Sequence, residues 1–486
     1  MSYLDLTVVE IHQAILSGKV TPTELVLEAL KRAKENKDNA FEYICEEEAI
    51  KSVQNLDKSK QNSIFYGIPF VAKDNFSTKD IPSTGSSNIL NNYVPVYNAD
   101  VIDRLIEQGA ILIGKSTLDE LAMGGSGTTG HKGTSFNPWD KDHQHLIGGS
   151  SCGSAISVCD NIVPLALGSD TGDSVRKPAS HGGLVGFKPT WGRISRYGLF
   201  PFACSLDHVA YFTRSVEDSA LALNVLAGRD DKDFSSSFKN VDDYTKNLNS
   251  SLKGTKIAVV QEIIDSIKDE QILKEFNKSL NSLKEEGAII NYVHMDVDLL
   301  KAIYPTYIII SCAEATSNNA NLDGIKFGPR PSGESYEEVI MKARTEGFSE
   351  LIKRRFVIGS FALNKENQDI LFRRAQKCRR LIVDAFNEIL KENDAIFCPA
   401  APTTAPKVKK DEYDALSDEY LIADNYLAFG NFAGLPSLTL PIGFENNLPF
   451  GGNVTGRPFE ESKVLNICNY IEKHTGYKNL SAKEVK

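Results

Sequence analysis

The chain has 486 residues, 41% of them hydrophobic, and a formal net charge of −10. That length supports a large α/β core, and the acidic balance argues against a surface that wraps nucleic acid unaided. No apolar run reaches the ~18 residues of a membrane span, and the opening MSYLDLTVVEIHQ lacks the basic and apolar pattern of a signal peptide.

In chain order, Thr21-Pro22-Thr23-Glu24 is a capping box with proline at the first helical position. Leu25, Val26, Ala29, Leu30 and Ala33 then form one apolar helical face. Tyr66–Asn75, YGIPFVAKDN, reads as an apolar strand that ends in Lys73. Asp100–Gln108 predicts a helix that leads through Gly109 into the strand-like AILIG. The same rhythm returns later. Lys268–Glu286 places Ile272, Leu273, Phe276, Leu280 and Leu283 on one face before the strand-like AIINYV, and Gln368–Lys391 precedes the short strand AIFCP. The polar stretch Arg229–Lys253 reads as an excursion or linker, too short to divide a chain taken as a single domain, 1–486.

Two patterns invite readings that their surroundings oppose. Gly109–Ser116, GAILIGKS, satisfies the phosphate-loop pattern, yet Ala, Ile, Leu and Ile between the glycines make a buried strand, not a curl of N–H groups. His143 and His145 have a ligand-like spacing but no third ligand near them, so they read as a solvated loop. Eight cysteines are scattered from Cys45 to Cys468 with no C-x-x-C pair, which fits free thiols in a reducing, cytoplasmic setting and no metal.

The chemistry concentrates in Gly148–Lys188. Two loops rich in Gly and Ser, Gly148–Ser154 and Gly168–Ser174, flank the apolar run Ile162–Leu167. Small residues let backbone N–H groups approach a ligand closely. Each loop offers serine hydroxyls and no imidazole, so a nucleophile here needs another base. Burial disfavours a charged lysine, and a neutral Lys73 can take a proton from a serine. The residues themselves give a serine–lysine reading.

GGSSCGSA, LGSDTGDSVRKPAS and GLVGFKPTWGRISRYGL are similar to the signature block of the amidase signature family. DELAMGGS (119–126), SLDHVAYFTRSVEDSALALNVLAG (205–228), RTEGFSELIKRR (344–355) and NFAGLPSLTLPIG (431–443) extend the likeness over nearly the whole chain. They resemble the family's glutaminase branch, the A-subunits of tRNA-dependent amidotransferases. The resemblance implies an α/β fold with one mixed sheet and helices on both faces. It also implies catalytic Lys73 as base, Ser150 as the middle serine, whose peptide bond is cis in the family, and Ser174 as nucleophile. Backbone N–H groups of Thr171, Gly172, Asp173 and Ser174 would form the oxyanion hole. Arg355 would hold the glutamine carboxylate, Asp424 its α-amino group, and Tyr307 and Ser126 would line the pocket.

The implied function is glutamine hydrolysis, with ammonia passed on to convert Glu-tRNA(Gln) or Asp-tRNA(Asn) to the amidated form. The implied partners are a larger B-subunit, which binds charged tRNA and uses ATP and Mg, and a small C-subunit; this chain itself would carry no cofactor. A free-standing small-amide hydrolase and a catalytically impaired scaffold are the alternatives. An organellar site is the alternative to the cytoplasm. The chain departs from the family at Cys152 and Asp173, which replace glycines, at Gly182, and at Gly452 and Asn453. Asp173 matters most, because a carboxylate next to the nucleophile repels a developing oxyanion unless it is turned away or neutralised.

Overall fold

The computed structural model describes residues 2–408 and 416–482. The first helix read from sequence forms as its residues dictate. Thr21 accepts the Glu24 N–H, Pro22 opens the helix Pro22–Glu35, and Leu25, Val26, Ala29, Leu30 and Ala33 are all buried.

Eleven strands make one sheet: β1 (Phe41–Ile44), β2 (Pro69–Lys73), β3 (Ile111–Ser116), β4 (Leu165–Asp170), β5 (Val185–Lys188), β6 (His208–Thr213), β7 (Lys256–Val260), β8 (Ile289–Val293), β9 (Ala395–Pro399), β10 (Ser437–Glu445) and β11 (Leu448–Gly456). Their order is β1-β3-β2-β4-β6-β5-β10-β11-β9-β7-β8. β3, β2 and β4 run parallel, as do β9, β7 and β8, while the remaining pairs are antiparallel. This is the mixed α/β sheet that the resemblance implies.

Side chains alternate between the faces of a strand, and β7 shows what covers each face. Ile257 and Val259 enter the larger core, which includes Phe276 and Leu280 of the helix Glu270–Glu285. Ala258 and Val260 enter a second core, with Ile310, Ile352 and Phe386 from the helices Ile303–Asn318, Glu350–Leu363 and Phe372–Glu392. The last of these begins four residues later than the periodicity predicts. Residues 229–253 contain no helix or strand, yet Tyr244, Leu248 and Leu252 are buried and Arg193 donates to the carbonyls of Lys239 and Asn240. The excursion is fastened to the body.

The sequence reading of the Gly/Ser segments as loops needs correction at both ends. Cys152–Ser154 already belong to the helix Cys152–Cys159, and Gly168–Asp170 belong to β4. Their smallness serves close packing: a Cβ on Gly153 would lie 2.3 Å from the Ala40 carbonyl oxygen, and one on Gly168 2.8 Å from Val175 Cγ2. Ile111–Ser116 of GAILIGKS is strand, as its composition predicts, and Lys115 within it is buried beside Asp74, Nζ to Oδ1 3.2 Å. His143 and His145 bind separate carboxylates, Asp38 at 2.9 Å and Asp140 at 2.6 Å. Among the described residues no helix is long and apolar enough to cross a membrane.

Candidate active site

β2 and β4 are parallel neighbours, so their C-terminal ends open on the same edge of the sheet. β2 delivers Lys73 there, and β4 delivers Ser169, Asp170 and the turn 171–174 that leads into the helix Arg176–Gly182. Lys73 is fully buried. Its Nζ lies 2.8 Å from Ser150 Oγ, 2.9 Å from Ser151 Oγ and 2.9 Å from Ser169 Oγ. Burial pushes its pKa down to about 7, against weaker upward pulls from Cys152, Asp119, Asp170 and Asp207. A lysine held by hydroxyls, with no carboxylate in contact, is a base that is substantially neutral near pH 7.

The Gly149–Ser150 peptide bond is cis. Gly149 donates to the Gly125 carbonyl at 2.9 Å, which sets the 124–127 loop against this segment. Asp119 ties down the same loop by accepting from the N–H groups of Gly127, Thr128 and Thr129. A Cβ on Gly149 would come within 2.1 Å of Asp119 Oδ2, so only glycine fits. Ser126 lies in this loop, its Oγ 2.7 Å from Thr128 Oγ1. On the other side, Ser151 N–H donates to the Ser174 carbonyl at 3.2 Å, which joins the two serine segments. Ser174 is buried.

The turn 171–174 is braced from within. Asp170 accepts from Val175 N–H at 3.0 Å and pairs with Arg176 Nη2 at 2.9 Å. Burial alone would raise the Asp170 pKa; the Arg176 guanidinium overrides it and holds the carboxyl well below its usual range. Arg176 also donates to the Gly172 carbonyl at 2.7 Å and to Leu427 O at 2.9 Å. Thr171 donates to Asp207 at 2.7 Å.

Tyr307 packs on the turn, and a Cβ on Gly172 would meet its ring at 3.0 Å. Burial raises the Tyr307 phenol well above its usual pKa, with Arg355 as the opposing charge, so the two lie in one neighbourhood. Arg355 has its Nε buried with no hydrogen-bond partner, and its guanidinium faces Phe202 at 5.8 Å from the ring centre. Asp424 does not stand alone. Lys177 lies 3.2 Å from its Oδ1 and 2.8 Å from Asp173 Oδ2. The charge of Asp173, a concern in the sequence, is therefore met by an ammonium one helical turn away.

Sequence reasoning gave no role to Ser151, Ser169, Asp119, Arg176 or Lys177. Only the last carried a readable signal, the i,i+4 spacing of Asp173 and Lys177. No group of three or more His, Cys, Asp or Glu among the described residues is arranged to hold a metal ion.

Three comparisons bear on this arrangement. The Amidase family matches residues 24–465. The chain is 40% identical to the glutamyl-tRNA(Gln) amidotransferase A-subunit of Pediococcus pentosaceus, over 96% of this chain and 95% of that one. It is 39% identical to the protein of the same name from Fusobacterium nucleatum, over 98% of each. The crystal structure of the glutamyl-tRNA(Gln) amidotransferase A-subunit from Thermotoga maritima superposes with a TM-score of 0.78 at 34% identity, covering 97% of this chain and 95% of that one. With a match of that extent, and a buried lysine joined to a cis-linked serine at the edge of the matching sheet, the chain belongs to the Amidase family.

Proposed function

We propose that the chain is the glutamine-hydrolysing subunit of a tRNA-dependent amidotransferase and acts as one catalytic domain. The observation that carries this reading is the fully buried Lys73, with a pKa near 7 and an Nζ–Oγ contact of 2.8 Å to Ser150.

Ser174 Oγ attacks the side-chain amide carbon of glutamine. Its proton passes to Ser150 while the Ser150 proton passes to neutral Lys73. The oxyanion forms beside the backbone N–H groups of the turn 171–174. When the tetrahedral intermediate collapses, the Lys73 ammonium returns a proton through Ser150 to the departing nitrogen, and ammonia leaves. Water then hydrolyses the acyl-Ser174 ester by the same relay, releasing glutamate. Arg355 receives the substrate carboxylate, for which its unpartnered buried Nε is suited. Asp424 faces the α-amino group, and Tyr307 and Ser126 complete the pocket.

The ammonia goes to a partner B-subunit, which binds charged tRNA and uses ATP and Mg, with a small C-subunit completing a cytoplasmic assembly. The relatives' shared name, which makes each of them one lettered component of a glutamyl-tRNA(Gln) amidotransferase, supports that assembly. The test is to purify the tagged chain with its co-purifying proteins and measure ammonia release from glutamine, with Ser174→Ala as control. Ammonia release that disappears in the variant supports the reading; release that persists in Ser174→Ala overturns the nucleophile.

A further inference from the structure

Lys177 is held at three points. Its ammonium is 2.8 Å from Asp173 Oδ2, 3.2 Å from Asp424 Oδ1 and donates to the Asp424 carbonyl at 2.6 Å. Its side chain is only 12% exposed, while those of Asp173 and Asp424 are 21% and 32% exposed, so the cluster is partly buried and open on its carboxylate side. Two carboxylates against one ammonium leave a single net negative charge, placed directly beside Ser174. One turn further along the helix, His181 is buried with Nδ1 unpartnered, 3.1 Å from where a Cβ on Gly148 would sit. Burial, and then Lys177, push its pKa down to about 4, so near pH 7 it adds no positive charge. Across the turn stands Tyr307, and Arg355, whose Nε has no hydrogen-bond partner, packs on Phe202 and Cys312 of the same neighbourhood.

We propose that Lys177 is a specificity-determining residue, which converts Asp173 and Asp424 into one three-group cluster of single negative charge and so selects an amide substrate carrying one ammonium group. The inference rests on the glutaminase reading and deepens it. Asp173 alone would add a second anion next to the developing oxyanion. Lys177 alone would neutralise Asp424 and remove the attraction for an ammonium. Only together do they leave the charge that Asp424 would supply by itself, so their effects must be coupled and not additive.

The test is a double-mutant cycle on the full chain with its co-expressed partners, read with two ligands: L-glutamine and 4-carbamoylbutanoate, which lacks only the α-amino group. Dissociation constants measured by calorimetry in a Ser174→Ala background remove any dependence on turnover, and KM values of the Ser174 enzyme provide the same contrast. Asp173→Gly should weaken glutamine about 10- to 100-fold and 4-carbamoylbutanoate less than about threefold. Adding Lys177→Gln should restore glutamine to within about threefold of the parent. Equal weakening of both ligands, or a double variant no better than Asp173→Gly, overturns the proposal while leaving glutamine hydrolysis standing. A parent chain that neither binds nor hydrolyses glutamine overturns both.

Discussion

Lys73 and Lys115 sit on adjacent parallel strands, and both are buried completely. Lys115 has a carboxylate: Asp74 is at 3.2 Å, and Asp74 in turn accepts from the Thr84 N–H at 2.7 Å and its hydroxyl at 2.6 Å. Burial lowers Lys115 and raises Asp74, and each opposes the shift of the other. Lys73 touches three hydroxyls instead, and no carboxylate offsets its burial at contact distance. One residue type, at one depth, has the surroundings of a structural ion in the first case and of the proposed proton acceptor in the second. Lys115 also donates to the Ser83 hydroxyl at 2.6 Å and the Phe76 carbonyl at 2.8 Å, so depth and hydroxyl contacts are common to both lysines; what separates them is the carboxylate that only Lys115 has in contact.

Lys73→Met tests this most severely. Removing the proposed base should lower amide hydrolysis by ~10³-fold or more, and Lys73→Met with Ser174→Ala should be scarcely worse than either alone. The fold should not suffer. The folded pKa of Lys73 lies below its ordinary 10.5, so its contribution to stability is most favourable above 10.5 and declines as pH falls toward about 7. At neutral pH the methionine variant should melt no lower than the parent.

Lys115→Met should do the reverse. It strands Asp74 in the interior and should cost about 3–5 kcal/mol of stability, read by thermal or urea unfolding. Activity per folded molecule should change little. If Lys73→Met destabilises the protein as much as Lys115→Met does, the distinction between the two lysines fails.

A smaller change can turn one lysine toward the other. Asn75 donates to Ser169 Oγ at 2.9 Å, the same oxygen that Lys73 contacts. Asn75→Asp keeps the shape and brings a carboxylate into the base's surroundings. A nearby anion favours the ammonium, so the acidic limb of the rate profile, expected near pH 7, should move up by about one unit. Activity at pH 7 should fall about fivefold and recover at higher pH. An unshifted profile would mean that Lys73 does not set that limb.

Ser151→Ala is the mildest of the series. It removes one of three hydroxyls around Nζ and should slow hydrolysis only a few-fold, on the order of the ~1 kcal/mol of one hydrogen bond. Loss of activity comparable to Lys73→Met would identify Ser151 as part of the relay itself.

The sequence made β2, β3, β8 and β9, the first capping box and Lys73 legible because each rests on a local pattern: an apolar run after a helix, a cap, or a lysine closing an apolar run. Lys115 was visible only as part of a strand, since nothing local announces that Asp74 faces it. The segments around Gly153 and Gly168 misled for a physical reason. Small residues mark both turns and tight contacts between elements, and the chain alone does not separate the two. Ser151 and Ser169 lay outside the sequence argument because their value depends on the point at which β2, β4 and the cis-linked segment converge.

Arg176 has a consequence for how the protein is made. Its buried guanidinium reaches Leu427 O, Asn431 Oδ1 at 2.6 Å and Ser437 Oγ at 3.3 Å, and β5, just beyond it in sequence, pairs with β10. The turn that bears Ser174 is therefore clamped by residues synthesised some 250 positions later. A nascent chain still on the ribosome holds every proposed catalytic side chain long before the clamp emerges. Chains that end before Leu427 carry the whole Lys73–Ser150–Ser174 set and the local contacts among Asp170, Gly172, Val175 and Arg176, and lack the outer half of the clamp that Leu427, Asn431 and Ser437 give to Arg176.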